Sequence, residues 1–148
     1  MIALLDVNVL VALAWPNHVH HEAARAWFRS QWDHGWATCA STENAFVRIS
    51  SNVKIVPEAR RPAEAAFLLR ELVALRGHVF WPEESSVLDD RWVSLDRIRT
   101  YRQVGDAHLL ALALRHEGRL ATFDRGVLDL VPPGLDAECD VQLIAPQL

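Results

Sequence analysis

Residues 2–14 read Ile-Ala-Leu-Leu-Asp-Val-Asn-Val-Leu-Val-Ala-Leu-Ala. Residues 2–5 are apolar without alternation, the pattern of a short strand covered on both faces. The run stops at Asp6. Residues 9–14 are then apolar on every side, which predicts a buried helix, and Pro16 stops it. A buried strand, an acid and a buried helix in that order form the opening of a unit that returns to a parallel sheet.

The rest of the chain repeats this alternation. Further strands are expected over residues 36–39, 79–81, 120–123 and 141–145. An amphipathic helix is expected over 20–33, with Ala23, Trp27 and Phe28 on one face and Gly35 as its left-handed exit. Ser41 is placed to cap a helix running to about residue 51. Pro62 suits the first position of a helix over 62–75, followed by Gly77. Ser86 would cap a helix over 87–96. A mostly buried helix over 107–114 carries Arg115 and His116 in its last turn, where positive charge suits the dipole, and Gly118 ends it. The expected fold is a three-layer α/β/α sandwich around a central, mainly parallel sheet of about five strands. It forms a single domain over 1–148, with no repeat or linker.

The chain has 148 residues, of which 51% are hydrophobic and 23% charged, so disorder, collagen and coiled coil are excluded. No apolar run approaches the length of a membrane span. The start, MIALLD, lacks a basic segment and a cleavage motif, so no signal peptide and a cytoplasmic location are expected. Cys39 and Cys139 are too few for a disulfide framework and read as buried free thiols. The net charge is −4, which argues against a nonspecific nucleic-acid coat, yet Lys54 is the single lysine among fifteen basic residues. Arginine can clamp phosphate with two parallel hydrogen bonds.

The acids carry the functional signal. Asp6 and Asp124 follow the first and fourth expected strands, Glu43 lies in the first turn after the second, and Asp106 starts the buried helix. All four fall on the carboxyl edge of a parallel sheet, where ligands bind in such folds. Each also has a local use, as helix cap, dipole partner or turn former. Convergence would explain all four at once, given that strands one and four are neighbours. Clustered carboxylates repel, and a divalent cation reverses that penalty. Oxygen ligands without a Cys or His set suit Mg²⁺ or Mn²⁺, and the chemistry that fits is hydrolysis at phosphorus. Asn8, set between apolar residues, and Thr122, two before Asp124, would orient ligands or water around the acids.

At these residues the chain resembles the PIN-domain nucleases, and more narrowly the VapC-type toxins of bacterial toxin–antitoxin pairs. The matching stretches are LLDVNVLVAL (4–13), STENAFVRIS (41–50), VGDAHLLALA (104–113) and LATFDRG (120–126), with NHVHH (17–21) and HVFWP (78–82) also similar. The resemblance implies a Mg²⁺-dependent endoribonuclease, with Mn²⁺ able to substitute. It also implies a homodimer silenced by a small cognate antitoxin. It makes Asp6 and Asp106 the metal ligands, with Glu43 and Asp124 completing the catalytic acids. Gly105 departs from the Thr or small polar residue that many relatives place there.

Arg91, Arg97, Arg99 and Arg102 flank the approach to Asp106 and are candidates for RNA phosphate contact, although a solvated helix face would look the same. His18, His20 and His21 lack a third ligand at zinc spacing and read as a polar helix start. The tryptophans of the first quarter read as core or interface. Two other functions fit less well: a catalytically silent RNA-binding or scaffold module, and a phosphatase of the haloacid-dehalogenase type. The phosphatase would need an acid where Asn8 stands and a lysine in the cleft.

Overall fold

The computed structural model describes residues 1–145. Five short strands, β1 (Ala3–Leu5), β2 (Trp36–Thr38), β3 (His78–Phe80), β4 (Arg119–Thr122) and β5 (Val141–Leu143), form one sheet in the order β3-β2-β1-β4-β5. Every pair is parallel, with Ala3 opposite Trp36 on one side of β1 and opposite Arg119 on the other. The helices are α1 (Val7–Ala14), α2 (His21–Gln31), α3 (Ala40–Ser50), α4 (Pro62–Val73), α5 (Gln103–Arg115) and the one-turn α6 (Ala137–Asp140).

Strand alternation splits the core in two. Ala3, Leu5, Trp36 and Ala121 face one layer, where they pack with Val9, Leu10, Phe28, Phe46 and Leu69 from α1 to α4. Leu4, Ala37, Leu120 and Val141 face the other, against Leu109, Leu110, Leu112 and Ala113 of α5 and the turn holding Val127 and Leu130. Both faces of β1 are therefore covered, as its unbroken apolar run requires. Burying each fully enclosed leucine contributes about 2 kcal/mol. The sandwich with an all-parallel five-stranded sheet agrees with the sequence reading.

Three local expectations need correction. First, no helix forms over 87–96. Ser86 closes a single turn, its hydroxyl accepting the Leu88 N–H at 3.1 Å and its carbonyl the Asp89 N–H at 3.0 Å, and Asp89 takes both the backbone N–H and the guanidinium of Arg91. Val87 and Leu88 stay exposed, Val93 joins the core from a non-helical bend with Trp92 packed against the same cluster, and only a 3₁₀ turn over Leu95–Arg97 appears. Second, Cys39 and not Ser41 caps α3: the Thr42 hydroxyl takes the Cys39 N–H at 3.1 Å, leaving the Ser41 N–H for Glu83. Third, Cys139 is exposed, whereas Cys39 is buried and its thiol is pushed up to about 11 by that burial.

The end of α5 is also instructive. The left-handed residue is Glu117, at φ 54°, and not Gly118. Gly118 is required for close approach, because a Cβ there would stand 2.6 Å from the Trp81 ring and 2.7 Å from the Ile2 carbonyl oxygen. Gly105, by contrast, has nothing within 4 Å of its Cβ position and sits inside α5. Urea denaturation is expected to show Gly118→Ala losing about 1–3 kcal/mol and Gly105→Ala gaining up to about 1 kcal/mol.

Candidate active site

The chain builds outward from β1 in both directions, through β2 and β3 on one side and β4 and β5 on the other. The carboxyl ends of β1 and β4 therefore flank a crevice at the switch point. Asp6 follows β1 directly, and its N–H donates to the Ala121 carbonyl at 2.9 Å, extending the β1–β4 ladder to the acid itself. Asp6 is buried, at 5% exposure. It caps α1, its Oδ1 accepting the Val7 N–H at 2.7 Å, and its Oδ2 accepts the Thr122 hydroxyl from β4 at 2.7 Å.

Thr122 has one proton, and it goes to Asp6. Its oxygen accordingly accepts from the Asp124 N–H at 3.1 Å and the Asn8 amide at 3.5 Å. One hydroxyl thus links Asp6, Asn8 and Asp124. Asp124 turns the chain beyond β4, its Oδ1 accepting the Gly126 N–H at 2.8 Å. Asp106, in the first turn of α5, borders a hollow of about 210 Å³ with Asp6, Ser41, Thr42, Gly105 and His108.

The acids oppose one another. Burial pushes the Asp6 carboxyl above the ordinary range and the charge of Asp124 adds to the rise, against the pull of the Thr122 hydroxyl and the Val7 N–H. Asp106 is pushed up to about 6, first by burial and then by the charges of Asp6 and Asp124. Like charges in a partly dry site have this effect, and a cation removes it.

Other features of the donor set also suit a hard cation. Among the described residues Asn8 Oδ1 is buried without a hydrogen-bond partner, because the Thr122 hydroxyl fixes the other end of the amide. An orphan of this kind is suited to bind water. Among the described residues no three His, Cys, Asp or Glu side chains are close enough to enclose an ion unaided. Mg²⁺ commonly keeps several waters, so one or two carboxylates suffice to hold it.

Glu43 is placed differently from the other three acids. It lies on the α3 face turned toward α4, lining a cleft with Asn44, Leu69, Arg70 and Phe80. Its Oε1 accepts the Thr38 hydroxyl at 2.7 Å, and Thr38 in turn accepts from His78 Nε2 at 2.8 Å, since its own proton is spent. The residues that α3 presents to the Asp6–Asp106 hollow are Ser41, Thr42 and Ala45.

Among the arginines, Arg91 is neutralised by both carboxylate oxygens of Asp89 at 2.8 and 2.6 Å, and Arg102 lies against the Tyr101 ring at 5.7 Å. Arg97 and Arg99 border a cleft of about 600 Å³ with Asp96, Gln103 and Asp129; Arg97 donates to the Asp129 carbonyl at 3.1 Å, and its Nε is buried without a partner among the described residues. The histidines of 18–21 form the turn into α2, with His20 stacked on Phe123 at 4.7 Å.

Sequence reasoning missed Glu83 and His108. Their side chains pair at 3.0 Å beside the hollow. Burial pushes the Glu83 carboxyl up, but hydrogen bonds from Ser41, His108 and Cys39 outweigh it and leave the group below its ordinary range. The available signal was positional: Glu83 lies past the carboxyl end of β3, three residues beyond the strand, on the edge where Asp6 follows β1.

Folded Asp106 keeps its proton to about pH 6, whereas the unfolded chain releases it near 3.8. Between those values the folded state binds more protons, so stability falls as pH rises through the window and stays low above it. Removing the charge removes the penalty. Urea unfolding in chelator should show Asp106→Asn more stable than wild type at about pH 7.5 and indistinguishable from it near about pH 4. Equal stability at the higher pH would contradict the crowding of these acids.

The model of the PIN domain family matches residues 3–131. The chain is 47% identical over 135 residues to Ribonuclease VapC39 of Mycobacterium tuberculosis, covering 91% of this chain and 97% of that protein. It is 51% identical over 128 residues to Ribonuclease VapC38 of the same organism, covering 86% and 89%. The crystal structure of FitAcB from Neisseria gonorrhoeae superposes with a TM-score of 0.62 at 21% identity over 96% of both chains, a likeness of fold. An acid-rimmed parallel sheet and extended identity to these relatives agree: the chain belongs to the PIN-domain family, among its VapC-type toxins.

Proposed function

We propose that this protein is a metal-dependent endoribonuclease that hydrolyses RNA phosphodiester bonds as the toxin of a toxin–antitoxin pair. The observation that carries the reading is the arrival of Asp6, Asp106 and Asp124 from three distant segments at one switch point, where burial first and then the charges of the other two acids push Asp106 up to about 6. The relatives named as ribonucleases supply the substrate class. A small antitoxin partner and a homodimeric state are part of the same proposal, the partner supported by likeness to VapC-type relatives.

Asp6 and Asp106 would hold Mg²⁺, or Mn²⁺ in its place, with Asp124 adding charge at the rim. Each Asp6 oxygen already accepts one hydrogen bond and retains a second lone pair. The bound ion would supply a water of lowered pKa and neutralise charge on the phosphate. Thr122 keeps Asp6 aimed and, by donating to it, favours its charged form against the larger rise that burial causes. Asn8 Oδ1, held in place by the bond of its own amide nitrogen to Thr122, would accept a hydrogen bond from a water beside the acids. Glu43 would influence the site from the neighbouring cleft, along the start of α3. Arg97 and Arg99, which among the described residues form no carboxylate pair like that of Arg91 although Asp96 and Asp129 line the same cleft, would take RNA phosphates. Lys54 is exposed in the turn after α3, which leaves the hollow without the lysine a dehalogenase-type phosphatase needs.

Two measurements test this reading. Asp6→Asn, which keeps a cap at α1, should fold normally and abolish RNA cleavage in Mg²⁺, read by mapping new RNA 5′ ends after induction beside wild type. Growth arrest by wild type without new ends would instead favour an RNA-binding module. In filter binding across a salt series, Arg97→Ala should weaken RNA binding and flatten the log–log salt slope by about 0.7 for each phosphate it no longer neutralises. Arg91→Ala should leave that slope unchanged.

A further inference from the structure

Glu83 lies three residues beyond β3, past Trp81 and Pro82, on the same sheet edge as Asp6. Its Oε2 accepts the Ser41 N–H at 3.2 Å, an N–H that the start of α3 leaves open, and its Oε1 accepts from His108 Nε2 at 3.0 Å. The two side chains are only 17% and 23% exposed. Among the described residues no hydrogen bond runs directly from α3 to α5, so this carboxylate is their polar bridge. The segment carrying it is pinned along α5 two turns further on, where Arg115 donates to Ser85 Oγ at 2.9 Å and Glu84 Oε2 at 3.3 Å.

These bonds fix the shape of the hollow. Ser41 and Thr42 form one wall, Gly105, Asp106 and His108 the opposite wall, and Asp6 lies between them. His108 is two residues from Asp106 on the same helix. We propose that Glu83 and His108 are a positioning pair for the hydrolysis proposed above, setting the α5 wall, and with it the Asp106 carboxylate, against Asp6. The inference rests on that reading of the hollow. Glu83 acts through His108 and the α3 backbone, and His108 acts through α5; neither is assigned contact with the reacting atoms. Side chains that orient metal-binding groups typically change metal affinity or activity about 10–100-fold when removed.

The test uses His108→Ala, His108→Gln and Glu83→Ala in the full chain, with Asp6→Asn as the control. Mn²⁺ affinity is measured by calorimetry without RNA, kcat and KM by cleavage of RNA, and folding by thermal melting. His108→Ala and Glu83→Ala should each weaken Mn²⁺ binding and lower kcat by about tenfold or more while KM for RNA holds. His108→Gln places an amide nitrogen where Nε2 stands and should restore both quantities to within about threefold of wild type. His108→Ala matching wild type in Mn²⁺ affinity and kcat would overturn the assignment. So would His108→Gln as defective as His108→Ala while both melt as wild type does. Asp6→Asn cleaving as well as wild type would defeat the nuclease reading instead, and the Mn²⁺ titration of the His108 variants would then decide the pair on its own.

Discussion

The sandwich is arranged around one unfavourable constraint, the burial of Asp6 and Asp106 at the crevice between β1 and β4, to which their charges and that of Asp124 add repulsion. Removing carboxylates from water raises their energy, and placing them together raises it further. The fold holds them with backbone ladders and caps. Asp6 is locked by the ladder bond to Ala121, by the first N–H of α1 and by the Thr122 hydroxyl. Asp106 rides on a helix whose residues Leu109, Leu110, Leu112 and Ala113 are buried against the sheet, so it cannot retreat without dragging the core. The cost is borne by two apolar layers, and a divalent cation would convert it into binding free energy.

Thr122 shows how few atoms organise the rim. Its single hydroxyl donates to one acid, accepts the backbone N–H of another and steadies the Asn8 amide, whose oxygen is left buried and open. Every hydrogen in that set has one consistent direction, so the orphaned Asn8 oxygen marks a place for a water or a ligand. On the far side of the hollow, Glu83 ties α3 to α5 in a comparable way.

Much of this was legible in the residues. The unbroken apolar run before Asp6 announced a doubly covered strand, and the acids fell on one edge once the strands were taken as parallel. Strand order was not legible: only the coordinates put β4 beside β1, and that adjacency brings Asp124 to Asp6. Helix phase was also hidden. Glu43 is one residue from Thr42, yet that step turns its carboxylate toward α4 and Thr38. Over 87–96, Ser86 and the apolar pair after it looked like a helix start, but the Asp89 side chain captured Arg91 and the apolar pair had no core to join. Glu83 escaped notice because Trp81 and Pro82 separate it from its strand.

Anomalous diffraction from a crystal of the wild-type protein soaked in Mn²⁺ tests the central claim most directly. A single dominant anomalous peak is expected in contact with the Asp6 and Asp106 carboxylates, absent when both are changed to asparagine. A soaked crystal with no peak between those two carboxylates, or with the dominant peak elsewhere on the molecule, would contradict it.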